Sequence, residues 1–205
     1  MRIPIAIILA GALLCAGAVQ AADIGALTGT CDGCHGPGGA SGNPDVPIIG
    51  GQSTGYLLKS LESYHDWGRP CVKSDFRYGD TTREPTDMCK LTENLDEQDF
   101  EALAQFYSSQ PFVPAKQPFD PDLAAAGAKL HADMCEVCHT QGGRVAGVGP
   151  RLAGQWMVYL KSALAYVPTA EHLVPPLMER KIDELDDQQI DQLLNYYASQ
   201  QGEKP

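Results

Sequence analysis

Two pentapeptides carry the chemistry in this chain: Cys31-Asp32-Gly33-Cys34-His35 and Cys135-Glu136-Val137-Cys138-His139. Each reads Cys-x-x-Cys-His. Two thiols at that spacing can add across the two vinyl groups of a haem, and the histidine that follows is then held at the iron. A lone Cys-x-x-Cys is also a zinc half-site or a dithiol redox pair. Two complete copies behind an export signal point instead to two covalently bound haem c groups. Their attachment residues are Cys31, Cys34, Cys135 and Cys138, and their proximal ligands are His35 and His139.

A haem iron with one histidine needs a sixth ligand or an open site. Beyond the leader the methionines are Met88, Met134, Met157 and Met178. Met88 and Met178 occupy matching places in an internal repeat, so they are the expected axial thioethers. His/Met ligation fills the iron and raises its potential, which suits electron transfer. His65 and His172, which lack repeat partners, are the alternatives for a bis-histidine site. Cys89, beside Met88, is the alternative for a thiolate site acting on a sulfur compound. Pro47 and Pro150 lie where their carbonyls can accept the ring N–H of His35 and His139, a bond that fixes the tautomer and strengthens the ligand. His131 reads as a surface histidine.

The elements that must position these residues repeat too. Pro47 to Gln52 and Pro150 to Gln155 share one spacing, and Tyr56 and Tyr159 follow each Gln by four residues. Met88, Leu95, Asp96, Phe100, Leu103 and Tyr107 match Met178, Leu185, Asp186, Ile190, Leu193 and Tyr197 throughout. The stretch from Tyr56 to Met88 is 13 residues longer than its counterpart, so the first half carries an insertion, about 66–83, containing Cys71.

The reading is all-α. Asp122 is the expected N-cap of a helix presenting Leu123, Ala126, Gly127 and Leu130 on one face, and 23–30 is a weaker, shorter counterpart. Tyr56–Tyr64 and Tyr159–Tyr166 read as second helices. The last helix of each half opens on a capping box, Asp186 with Gln189 and Asp96 with Asp99. Residues 36–51 and 142–154 are Gly- and Pro-rich loops. The four prolines of 111–121 make a stiff linker. The expected organisation is a signal peptide over 1–21, a first domain over 22–110, the linker, and a second domain over 122–205.

Met1-Arg2, an apolar run from Ile3 to Val19 and Val19-Gln20-Ala21 form the leader, cut after Ala21 for export to the periplasm, with no stable membrane span afterwards. The formal charge of −11 argues against nucleic acid, whose phosphates need a basic face. Cys71 and Cys89 are the even pair left over in an exported chain, and a disulfide is the default reading.

These residues together resemble the dihaem cytochrome c4 family, two tandem class I cytochrome c domains, over nearly the whole exported chain. From the linker onward, Pro114-Ala115-Lys116-Gln117, Gly127-Ala128-Lys129-Leu130-His131, Leu152-Ala153-Gly154-Gln155-Trp156 and Tyr197-Ala198-Ser199-Gln200-Gln201 are similar to the cytochrome subunit of flavocytochrome c sulfide dehydrogenase. That resemblance implies an electron-accepting subunit with a flavoprotein dehydrogenase, or another redox protein, as partner. The first half departs from it. The insertion is foreign to that subunit, while Gly51-Gln52 and Tyr56 look like cytochrome c4. A free c4-type carrier is therefore the alternative, and a dihaem peroxidase or thiosulfate dehydrogenase a third. No nucleophile triad, carboxylate dyad or nucleotide motif marks a substrate site.

Overall fold

Aspartates open five of the nine α-helices among the described residues. In the computed structural model, which describes residues 23–147, 149–167, 169, 172 and 174–202, Asp23 caps α1 (Ile24–His35) by accepting the Ala26 N–H at 3.3 Å. Ser53 caps α2 (Thr54–His65) and Asp87 caps the short α3 (Met88–Thr92). Asp96 opens α4 (Glu97–Ser109) with a full capping box, its side chain and that of Asp99 each bonding the other's backbone. Such a box satisfies two N–H groups that a helix start leaves unpaired.

The second half repeats the order. α5 (Pro121–Met134) is followed by α6 (Thr140–Gly143), a single turn broken by positive φ at Gln141 and Gly142. Then come α7 (Met157–Ala165), α8 (Pro176–Asp183) and α9 (Asp187–Ser199), the last with a capping box from Asp186 and Gln189. Among the described residues there is no strand, only an isolated bridge between Ser74 and Thr86. The signal peptide expected over 1–21 lies outside the described residues.

Two expectations change. The N-cap of α5 is Asp120, not Asp122: its Oδ1 accepts the N–H groups of Asp122 and Leu123 at 2.8 and 3.1 Å. Pro121 takes the first helical position, where its fixed φ suits the helix and its missing N–H costs nothing. α1 is longer than its glycines and threonines implied and runs through the whole first Cys-x-x-Cys-His motif. α5, by contrast, stops at Met134, and the second motif begins in turns.

Each half buries its own core. The first is Leu57, Leu103, Ala104 and Tyr107, lined by Ile24, Leu27 and Cys31. The second is Leu160, Leu193, Leu194 and Tyr197, lined by Leu130, Cys135 and Met157. The expected faces of α4 and α9 are thus the inward ones. α5 crosses α9 at Gly127, where a Cβ would sit 2.0 Å from the Gln192 carbonyl oxygen, so only glycine fits. A further cluster of Ile48, Ala115 and Trp156, with Phe112 and Tyr159, joins the two halves through the linker.

Candidate functional site

The loop after each motif is fixed by the same bonds in both halves. Gly39 and Gly143, both at positive φ, offer carbonyls to the paired N–H groups of Ile49 and Gly50, and of Leu152 and Ala153. Gly51 and Gly154, also at positive φ, each donate at 2.9 Å to the matching carbonyls of Tyr107 and Tyr197 on the last helices. These bonds present Pro47 and Pro150 to the motif histidines.

His35 Nδ1 lies 2.9 Å from the Pro47 carbonyl oxygen, and His139 Nδ1 lies 3.1 Å from that of Pro150. A carbonyl can only accept, so each Nδ1 carries the proton and each Nε2 keeps its lone pair. Both rings are buried. Burial holds both imidazoles below the ordinary histidine pKa, against the raising effect of the proline carbonyl bonds. Neither Nε2 makes a hydrogen bond to any described residue. A neutral, oriented imidazole with a free Nε2 is the donor an iron takes. Gly149 enforces the fit on one side: a Cβ there would lie 2.5 Å from His139 Cε1.

The four motif cysteines are free thiols. Burial pushes the Cys31 thiol up to about 11 and raises Cys34 and Cys135 as well. Thiols raised in this way are slow partners in disulfide exchange. Among the described residues no motif cysteine joins a cluster of three or more metal-ligating groups; the one such cluster is Cys71, Asp87 and Cys89. Cys71 and Cys89 are themselves joined by a disulfide. Cys89 is therefore spoken for, and the thiolate-ligand alternative loses its residue.

Met88 sits at the first turn of α3, anchored by the Asp87 cap, the adjacent disulfide and the Thr92 hydroxyl, which donates to the Met88 carbonyl at 3.0 Å. Met178 lies on α8. Met157 packs into the second core, whereas Met88 and Met178 stand outside both cores. His65 binds the Thr92 carbonyl through Nδ1 at 3.0 Å. His172 Nδ1 donates to the Ala163 carbonyl at 3.0 Å, so its Nε2 accepts from Arg69 Nε at 3.1 Å and is not free for iron.

Three features escaped sequence reasoning. The insertion packs on the first motif: Arg77 and Tyr78 donate to the Gly33 carbonyl at 2.7 and 3.0 Å, and Phe76 fills the space over Gly33 where a Cβ would meet it at 2.6 Å. Arg69, also from the insertion, lies against the Tyr56 and Tyr64 rings and donates to the Tyr56 hydroxyl at 3.3 Å. No carboxylate pairs with it among the described residues. Burial opposes ionisation of Tyr56, but the Arg69 guanidinium prevails and holds it below the ordinary tyrosine value. An insertion without a repeat partner gave no spacing from which to read either contact.

The third is His131, which is buried rather than on the surface. Its Nε2 lies 2.9 Å from Glu136 and its Nδ1 2.9 Å from the Tyr197 hydroxyl. In the first half Tyr107 donates directly to Asp32, the counterpart of Glu136, at 2.8 Å. In the second half the histidine bridges the tyrosine and the carboxylate. It is covered because α5 lies against α9, whose Tyr196 and Tyr197 rings stand 5.4 and 5.5 Å from the His131 ring.

No helix among the described residues is long and apolar enough to cross a membrane. Residues 122–196 match the family "Cytochrome C oxidase, cbb3-type, subunit III". Cytochrome c4 from Thiocapsa roseopersicina is 30% identical over 184 residues, covering 82% of this chain and 85% of that protein. Cytochrome c4 from Azotobacter vinelandii is 31% identical over 144 residues, 65% of either chain. The crystal structure of reduced recombinant cytochrome c4 from Pseudomonas stutzeri superposes with a TM-score of 0.66 at 28% identity, covering 86% of this chain and 97% of the other. The repeated halves, the two matched histidine sites and these similarities place the chain in the cytochrome c4 family of electron-transfer proteins, all-helical with tandem cytochrome c domains and two covalently bound haem c groups.

Proposed function

We propose that this chain is a free periplasmic electron carrier whose two haem sites are built from its two motifs. The observation that carries the reading is the matched pair His35–Pro47 and His139–Pro150, each leaving a neutral imidazole with a free Nε2 beside two free thiols. Bound haem supplies a one-electron iron couple. The chain's own residues do the rest. Cys31 and Cys34, and Cys135 and Cys138, attach the groups through thioethers. His35 and His139 would ligate the irons through Nε2, and Pro47 and Pro150 hold their tautomer. Met88 and Met178 would supply the second protein ligand to each iron. Arg69, with the Tyr56 hydroxyl, offers the cationic donor set that suits a haem propionate. Residues 22–110 and 122–205 are the haem domains and 111–121 the linker, with Pro121 also opening α5. The leader over 1–21 directs export.

The relatives named above favour the free carrier over the flavoprotein-bound subunit that the second half resembles. Its redox partner is a transient one, docking without a lasting interface. The test is gentle purification from the native source, followed by size exclusion with haem and flavin absorbance recorded together. Haem eluting alone, at the mass of one chain without its leader, is the expected result. Flavin co-eluting with haem at much higher mass, with sulfide-dependent reduction, would replace this reading by the subunit one.

A further inference from the structure

Gln52 and Gln155 hold the same place in the two repeats, and each is buried in the opposite half. Gln155 Oε1 accepts the Ile48 N–H at 2.9 Å and its Nε2 donates to the Ile48 carbonyl at 2.9 Å. In mirror image, Gln52 Oε1 accepts the Arg151 N–H at 2.8 Å and its Nε2 donates to the Arg151 carbonyl at 3.0 Å. Ile48 follows Pro47, and Arg151 follows Pro150. The peptide group that takes the His35 proton bond on its oxygen therefore gives its N–H to Gln155, and the peptide that takes the His139 bond gives its N–H to Gln52.

We infer that the two glutamines are crossed positioning residues, each setting the strength of the proximal-histidine bond in the other half. This rests on the reading of His35 and His139 as iron ligands. The physical argument follows from amide resonance. A hydrogen bond accepted from a peptide N–H shifts electron density onto the carbonyl oxygen of the same group, because consecutive hydrogen bonds polarise one another. Gln155 thus makes the Pro47 oxygen a better acceptor for His35, and Gln52 does the same for Pro150 and His139. A stronger acceptor makes the imidazole a more basic ligand, which favours the oxidised iron. All four partners of the clasp are buried, with Ile48, Gln155, Gln52 and Arg151 at 1, 2, 3 and 5% exposure, so water offers the peptide no substitute. A contact that served only to join the halves would not need to fall on these two peptides.

The experiment is Gln155→Met and Gln52→Met in the full haem-loaded protein. Methionine keeps the length of the side chain and removes both hydrogen bonds. The two haem midpoints are resolved by spectroelectrochemistry and assigned to each half by NMR. Gln155→Met is expected to raise the midpoint of the haem in the first half, and Gln52→Met that of the second. The effect is a change of about threefold in the oxidised-to-reduced ratio at fixed potential, a modest size for an outer-shell change. That is about 28 mV on the scale of 59 mV per tenfold for one electron. Shifts in the haem of the glutamine's own half, equal shifts in both haems, or no shift would overturn the inference. If a variant fails to fold, side-chain amide exchange in the ¹⁵N-glutamine-labelled native protein decides instead. Two strongly protected carboxamides, assigned to Gln52 and Gln155, uphold the clasp, and free exchange at either removes it. Haem and iron content of the native protein separates the two failures: fewer than two haems per chain sinks the ligand reading, whereas two haems with uncrossed midpoints sinks only the inference.

Discussion

Replacing Gly127 by alanine adds one methyl group where α5 meets α9. The new Cβ would stand 2.0 Å from the Gln192 carbonyl oxygen, 2.5 Å from its carbon and 2.8 Å from Tyr196 Cβ. Contacts under 3.0 Å are essentially never found for real Cβ atoms, and the nearest obstacle is backbone, so the helices must part by an ångström or so. A gap of about 0.5–1 Å forfeits a quarter to a half of each dispersion contact along the crossing. Overpacking of this kind costs about 1–3 kcal/mol, and the rigid obstacle puts it near the top of that range. Alanine returns about 1 kcal/mol of helix propensity. The net is a loss of about 2 kcal/mol, which at about 2–4 °C per kcal/mol lowers Tm by about 4–8 °C. Gly29 in α1 supplies the contrast, since a Cβ there meets nothing within 4 Å. Gly29→Ala keeps only the propensity gain and should raise Tm by about 2–4 °C. Circular dichroism melts of the haem-loaded proteins measure both. If Gly127→Ala melts at or above the native temperature, the close crossing is wrong.

Two further outcomes are expected. Cys71 and Cys89 are 18 residues apart in sequence, so replacing both by serine should cost about 3 kcal/mol on the chain-entropy scale, read as a lower urea midpoint; an unchanged midpoint would remove the disulfide's role in holding the insertion. The N–H of Gly142, the His131 ring and the N–H of Gln141 together hold the Glu136 carboxyl below its ordinary value, against burial. Its contribution to stability is therefore present above about pH 4.3, the ordinary glutamate value, and disappears as pH falls through the lower folded value. Glu136→Gln should flatten this acid limb of a stability–pH profile; a profile of unchanged steepness would count against the bonds to Gly142 and Gln141.

The motif residues declared themselves in the sequence because covalent attachment demands fixed types at fixed spacing. Two copies of Cys-x-x-Cys-His, matched Pro and Met positions and capped amphipathic helices were enough to read the helical class, the duplication and the two cofactors. Helix ends were legible where an aspartate met its partner three residues on, as at Asp96 and Asp186. They slipped at Asp120, where the proline that follows competes with Asp122 for the start. What the sequence could not carry was any contact between segments without a shared period. The insertion laid Phe76 on Gly33 and brought Arg69 to Tyr56, although nothing in its own pattern names a target. His131 is polar in type but buried in fact, because burial is decided by the helix that comes to lie across it. Above all, the spacing of Gln52 and Gln155 was visible, while their exchange across the two halves was not. Local preferences act within a few residues; a side chain about 100 residues away can complete a peptide's hydrogen bonds only once the two halves have packed.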